Sequence, residues 1–243
     1  MNACEPEGMT PDDAEKIPFL AALDEGDRAE LISKGHIKAL EKGAELWADQ
    51  QNTGEFSFVV SGRLKLVKRS GEGKETIVDI GTRGRLLCSN AVCAFAPYCC
   101  NAVAMESSRV AVIRRPDLLS VLERSPSATR AFLGEASAKG MVICARVDEV
   151  ASGQVDRRIA SLMLRLSEAV GERREGDQIF IPVPLARQDL ADMCGTTVET
   201  TIRIMRRMEK EGLLETQRKG FLITDHAGMV ALTTGPQRTR SGS

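Results

Sequence analysis

Alternation of polar and apolar residues ends before Pro116, and helical spacing governs most of the chain beyond it. A chain with that break cannot be one uniform helical bundle or one sheet sandwich. It has to place a β-rich body and a helical body in series. In the β-rich part, Ala39 to Ile113, Ser57-Phe58-Val59-Val60 meets the turn signal Ser61-Gly62. Arg63 to Lys68 then alternates polar and apolar as a half-buried strand does, Ser70-Gly71-Glu72-Gly73 reads as a hairpin loop, and Glu75 to Ile80 returns. Val110 to Ile113 closes the region. Many short strands with glycine turns predict a small barrel or jelly roll. Ahead of it, apolar residues at helical spacing between Pro11 and Gly35 (Ile17, Leu20, Leu23, Leu31, Ile32) predict one or two short helices.

Beyond Pro116, Ala136, Gly140, Ile143, Val147 and Val150 recur at alternating steps of four and three, a coiled-coil seam into which Phe132 leads. The competing reading is a helix packed on its own barrel. Ser152-Gly153 breaks this helix, and Ile159, Leu162, Met163 and Leu166 mark the next, from about Asp156 to Val170. The expected division is a loose tail at 1–15, a β-barrel at 16–128, a dimerisation helix at 129–152, a second domain at 153–230 and a disordered tail at 231–243.

The segment Pro184 to Ile223 carries the chemistry. Leu185 to Cys194 reads as one helix, Gly195 suits a tight interhelical turn, and Thr196 with Glu199 forms the pattern of a capping box for a second helix. That helix is expected to turn Ile202, Met205 and Met208 inward and Arg203, Arg206 and Arg207 outward, and to end at Gly212. Leu213 to Thr216 and Phe221 to Thr224 read as strands of a wing with the basic tip Arg218-Lys219-Gly220. Such a unit suits duplex DNA. Thr197, Val198, Glu199, Thr200 and Arg203 lie near the leading end of the second helix, where side chains reach base edges. Arginine pairs bidentately with guanine and glutamate accepts from cytosine. Arg218, Lys219 and the threonine hydroxyls suit phosphates, and Arg206 joins the DNA-binding set from the outer face. The competing reading is a solvated helix hairpin in an all-α setting. With a formal net charge of −1 the chain is no basic cloud, so any DNA surface has to be a local patch.

Arg187-Gln188-Asp189-Leu190-Ala191, Gly195, Thr197-Val198-Glu199-Thr200, Arg203 and Glu211-Gly212-Leu213-Leu214 resemble the helix-turn-helix of the CRP/FNR family of bacterial transcription regulators. Ser61 to Leu66 and Glu75 to Ile80 resemble that family's barrel strands, and the similarity runs from about Lys16 to Asp225. The resemblance implies an α+β chain: an N-terminal cupin-like β-barrel of the cyclic-nucleotide-binding-domain kind, a long dimerisation helix and a C-terminal winged helix-turn-helix. It implies a homodimer on palindromic double-stranded DNA, TTGA-type half-sites from the FNR-like Val198-Glu199-Thr200 and Arg203, and RNA polymerase as a partner. One position departs: Ile202 stands where FNR-like members usually carry serine, so it can touch a thymine methyl but cannot donate to a base edge.

Family members that bind cyclic nucleotides hold ribose and phosphate with a glutamate and an arginine. The matching stretch here, Arg85 to Ala104, lacks both, so cyclic AMP is not expected as effector. Cys88, Cys93, Cys99 and Cys100 gather there instead. Thiolates are soft ligands, which points to an iron–sulfur cluster or another thiolate-bound metal and a redox or gas signal. Reversible thiol oxidation, of Cys99 and Cys100 or between Cys88 and Cys93, a small organic or nucleotide effector without metal, and plain packing are the alternatives. Cys144 and Cys194 read as packing residues, Cys194 also as a thiol whose oxidation would disturb DNA binding. His36 and His226, the two histidines, read as surface or capping residues before haem ligands. An enzyme such as a thiol oxidoreductase is not expected: no C-x-x-C pair is present, and neither histidine can be matched to a nucleophile. Met1 to Asp13 lacks the basic start and apolar core of a signal peptide, and no apolar run approaches bilayer length. A cytoplasmic location, no membrane partner and reduced thiols are therefore expected.

Overall fold

The structure, a computed structural model, describes residues 7–51, 54–69, 75–89, 97–151 and 154–234, with the side chains of 142–151 left out. The chain forms two compact units, Met1–Ile143 and Cys144–Ser243.

In the first unit, two four-stranded antiparallel sheets face each other. One has the order β1(Glu7–Gly8), β2(His36–Leu40), β8(Ser108–Arg114), β4(Glu55–Ser61). The other has the order β3(Glu45–Trp47), β7(Asn101–Ala104), β5(Leu64–Arg69), β6(Glu75–Gly81). Strands β4 and β8 are buried on both faces, which explains their near-continuous apolar runs. Val59, Val110 and Val112 point between the sheets to meet Leu64, Leu66 and Ala102. Phe56, Phe58, Ala111 and Ile113 point the other way, into a second core closed by helices. Those helices are α1(Pro11–Glu15), α2(Pro18–Ala21), α3(Glu25–Lys34), α4(Arg115–Arg124) and the start of α5(Pro126–Ala151). The barrel is thus as expected, with three short helices ahead of it rather than one or two.

The expected loose tail is ordered from Glu7 onward. Glu7 and Gly8 pair with Ile37 and His36, and Thr10 caps α1 in a reciprocal box with Asp13. Asp13 is buried and meets Arg109 of β8 at 2.8 Å. Burial alone would raise its carboxyl, but hydrogen bonds from Thr10 and Arg109 outweigh that and hold it below the usual carboxylate range. Sequence periodicity cannot see this clasp, because its partners lie far apart in the chain.

Helix α5 is as long as expected, but its face is set differently. Phe132 is buried in the first unit's own core, edge-on to Phe19 at 5.9 Å and to Phe56 at 5.5 Å, so it does not belong to a dimer seam. Ala136 is half-buried and Gly140 exposed, whereas the side chains of Ile143, Val147 and Val150 lie outside the described residues. Among the described residues, the large apolar groups exposed on this helix are Leu133 at 56% and Met141 at 71%. The division between units falls inside α5, ahead of the expected hinge at Ser152-Gly153, which itself lies outside the described residues.

In the second unit the apolar face of α6(Val155–Val170) packs on α9(His226–Thr234), so the chain stays helical past residue 230, where a tail was expected. Between them lie α7(Arg187–Cys194), α8(Val198–Lys210) and a four-stranded sheet ordered β11(Leu214–Gln217), β12(Gly220–Ile223), β10(Ile179–Ile181), β9(Glu172–Arg173). Among the described residues no helix is long and apolar enough to cross a membrane.

Asp13→Asn removes a buried charged partner of Arg109 and is expected to cost about 2 kcal/mol, read as a lowered Tm in thermal melts. The folded Asp13 pKa lies below its unfolded value, so its contribution is fully present above the ordinary carboxylate range and is lost as pH falls through the folded value. The variant's stability should therefore fall less steeply than the wild type's below about pH 4. Equal acid slopes would rule this clasp out as a source of stability.

Candidate nucleic-acid interface

Two helices and a hairpin make the site. Asp189 accepts the Ala186 amide at 2.9 Å and so closes the first turn of α7. At its other end Gly195 adopts the left-handed conformation, φ 59° and ψ 49°, and the Thr196 amide bonds back to the Ala191 carbonyl at 2.9 Å. Thr196 is thereby spent on ending α7, and the expected box of Thr196 with Glu199 does not form. The cap of α8 is Thr197, whose hydroxyl accepts the Thr200 amide at 3.2 Å. Glu199 is held below the usual carboxylate range by its own backbone amide first and by Thr197 second, so it keeps its negative charge.

Burial divides α8 sharply. Thr201, Ile204, Met205 and Met208 are buried. Ile204 takes the inward place expected of Ile202, which is only half-buried on the flank of the exposed face. The exposed stripe is Glu199, Arg203, Arg206 and Lys210, at steps of four, three and four. Thr197 is exposed, and Val198 and Thr200 are half-exposed beside this stripe. Arg203 and Arg206 make no ion pair among the described residues, which leaves their guanidinium groups available for a ligand. Arg207, expected on the outer face, is exposed but engaged, meeting Asp156 of α6 at 2.9 Å. It ties α8 down.

Arg218 and Lys219 form the exposed two-residue tip between β11 and β12, with Gln217 opposite Gly220. Gly220 is required: a Cβ there would stand 1.9 Å from the Ile181 carbonyl oxygen, at φ +154°. Local sequence reasoning missed what orients this wing. Arg187 donates to the Thr216 hydroxyl at 2.7 Å and lies 5.9 Å over the Phe221 ring, while Glu209 of α8 accepts from the Thr216 amide at 3.2 Å. Thr216 thus links both helices to the wing. Arg174 also escaped notice; it shares a groove with Arg218 and Lys219 and rests on Phe180 at 5.2 Å. Helix, turn and wing thus carry a row of outward cations beside one fixed carboxylate, a surface made for an anionic polymer with readable edges.

The chain matches the Crp-like helix-turn-helix domain over residues 157–232 and the cyclic nucleotide-binding domain over residues 37–125. The chain belongs to the CRP/FNR family. It is a DNA-binding transcription regulator of that type and not an enzyme. Among similar proteins of this family, the nitrogen fixation regulation protein FixK of Bradyrhizobium diazoefficiens is 25% identical over 228 residues, 87% of this chain and 88% of that protein. The anaerobic regulatory protein of Bacillus subtilis is 24% identical over 208 residues, 85% of this chain and 87% of that one. The solved structure of FixK2 from Bradyrhizobium japonicum superposes with a TM-score of 0.69 at 17% identity, covering 84% of this chain and 99% of that chain.

One end of the barrel carries the cysteines. Cys88 and Cys100 are buried, Cys99 is exposed, and Cys93 lies outside the described residues. Trp47 stacks on Tyr98 at 4.1 Å and donates its indole N–H to the Cys100 carbonyl at 3.0 Å. Lys68 Nζ donates to the Cys99 carbonyl at 3.0 Å and to Asp49 at 2.7 Å. From α5, Lys139 Nζ donates to the Leu87 carbonyl at 2.9 Å. No group of three or more His, Cys, Asp or Glu side chains is placed to hold a metal ion among the described residues. Of the expected ligand set, Cys99 is exposed, Cys88 and Cys100 are buried, and Cys93 lies outside the described residues. Cys194 is buried and its carbonyl accepts from Arg158 at 2.7 Å; the side chain of Cys144 lies outside the described residues. His36 is half-buried in β2, its pKa lowered by burial first and by Lys38 second, and His226 opens α9.

Arg203→Ala is expected to weaken binding to a selected operator by about 10- to 100-fold and to relax preference at one base pair per half-site. Lys219→Ala should weaken selected and random duplexes alike and lower the salt slope by about one. Anisotropy titrations at several salt concentrations read both. Equal loss on both duplexes for Arg203→Ala would remove its base-reading role.

Proposed function

We propose that this regulator acts as a homodimer on a palindromic operator with TTGA-type half-sites, and that the cysteine-bearing end of its barrel supplies a redox input. The exposed stripe of α8 carries the reading. Arg203 suits a guanine, Glu199 a cytosine, and the flanking Ile202 a thymine methyl. Arg206, Arg218 and Lys219 supply phosphate contacts. Leu133 and Met141 support the dimer, since two large apolar groups standing out on one helix call for a cover, and a second copy of α5 supplies the same surface in return. RNA polymerase is the downstream partner that the family resemblance implies.

The chemistry of the barrel favours thiols over the other inputs. An iron–sulfur cluster needs several converging thiolates, and among the described residues no group of three or more possible ligands is placed to hold a metal ion. A cyclic nucleotide needs a positive partner for its phosphate, but the space between the sheets is filled by Trp47, Tyr98, Leu87 and other apolar side chains. What remains chemically responsive at that end is the thiol group itself.

Leu133→Glu with Met141→Glu should convert the dimer to monomers by sedimentation and weaken operator binding by more than about 100-fold. A folded double variant that stays dimeric would refute this face as the interface. Replacing the guanine of either TTGA half-site should cost about 1–3 kcal/mol, and indifference to that change would refute the half-site.

A further inference from the structure

We propose that Cys99 is the oxidation site of this protein, attacked by hydroperoxides, and that its neighbour Cys100 resolves the product into a vicinal disulfide. This deepens the redox reading of the protein's function and rests on it. Three features of the fold carry it. Cys99 is exposed and Cys100 buried, so oxidant meets one thiol while the other is kept from bulk solvent. The two thiols belong to neighbouring residues, so the resolving sulfur lies one residue from the attacked one. Lys68, pinned between Asp49 and the Cys99 carbonyl, fixes an ammonium beside the reacting residue.

The acidities reflect this arrangement. The thiol of Cys99 is held down to about 6, by the hydrogen bond from Cys100 first, with its own backbone amide and Lys68 adding to the effect. Cys100 is pushed up, by its bond to Cys99 first and by burial second. The exposed sulfur is thus the more acidic of the two, and the inner one holds its proton more tightly.

In the first step the Cys99 thiolate attacks the terminal oxygen of the hydroperoxide. The O–O bond breaks, sulfur is oxidised by two electrons to a sulfenic acid, and the leaving alkoxide or hydroxide takes a proton from water. In the second step the Cys100 sulfur gives up its proton and attacks the Cys99 sulfur. The S–O bond breaks, water leaves and the S–S bond forms. Adjacent Cα atoms stand about 3.8 Å apart, closer than the roughly 4.4–6.8 Å of an ordinary disulfide. The bridge is therefore strained and easily reduced, as a reversible signal requires. Its formation has a route to α5. The carbonyl of Cys100 is held by Trp47, Cys100 shares a core with Leu87, and the Leu87 carbonyl is held by Lys139.

The test treats full-length reduced protein, in chelator, with a small excess of hydrogen peroxide and a sulfenate-trapping dione, then applies mass spectrometry and operator titration to the same samples. Wild type should lose two hydrogens within the peptide holding Cys99 and Cys100. Cys100→Ser should accumulate the dione adduct on Cys99, and Cys99→Ser should slow oxidation on the order of tenfold. Wild-type rates in Cys99→Ser, or first modification at Cys93, Cys144 or Cys194, would overturn the proposal. A vicinal disulfide that leaves operator affinity unchanged upholds the site and removes the redox reading of function. An oxidant response that survives in Cys99→Ser upholds that reading and overturns this site.

Discussion

Burying Ile204, Met205 and Met208 on one side of α8 decides where Arg203 and Arg206 point. A helix offers no choice in the matter: at 100° per residue, residues one position away from the buried row lie on its flanks, and the stripe from Glu199 to Lys210 is forced outward. Each buried side chain of this size contributes about 1.5–3 kcal/mol, so rotating the helix to hide the arginines would cost several of these terms at once. The Arg207–Asp156 pair and the link from Arg187 through Thr216 to Glu209 then fix the pitch of α8 and the height of the wing. The polar contacts refine a placement that apolar burial has already made.

The same logic runs through the first unit. Strand β8 is buried on both faces, so its alternate residues serve two cores: Val110 and Val112 fill the space between the sheets, and Ala111 and Ile113 seat the helices. Phe132 joins the second of these cores, so the start of α5 is a fixed part of the barrel unit. Lys139, two turns further on, touches the backbone beside Cys88. The helix that carries exposed Leu133 and Met141 is thereby in contact with the cysteine-bearing end of its own barrel.

Much of this was legible in the sequence, for identifiable reasons. Strong period-two stretches such as Arg63 to Lys68 became strands, and the glycine at 195 marked the turn, because local chemistry alone decides them. The cap of α8 was misplaced by one residue because two threonines stand together and only the wrap of α7 onto Ala191 decides which is left to cap. Ile204 and Ile202 are separated by one residue, and periodicity could not tell which faced the core without the position of α6. The two-residue strands β1 and β9 have no period to detect. Phe132 fell at the edge of a convincing heptad, yet Phe19 and Phe56, more than seventy residues away, claimed it. Pairings between distant residues, such as Asp13 with Arg109 or Trp47 with Cys100, leave no local trace at all.

The placement of α8 is most directly tested by guanine methylation interference on an operator selected from random duplexes. Methyl groups at guanine N7 stand in the major groove, where Arg203 is placed to reach. The expected result is interference at one guanine in each of two half-sites whose centres lie about 34 Å apart along one face of the duplex, with the signal lost in Arg203→Ala. Interference confined to a single block, or unchanged in that variant, would contradict it.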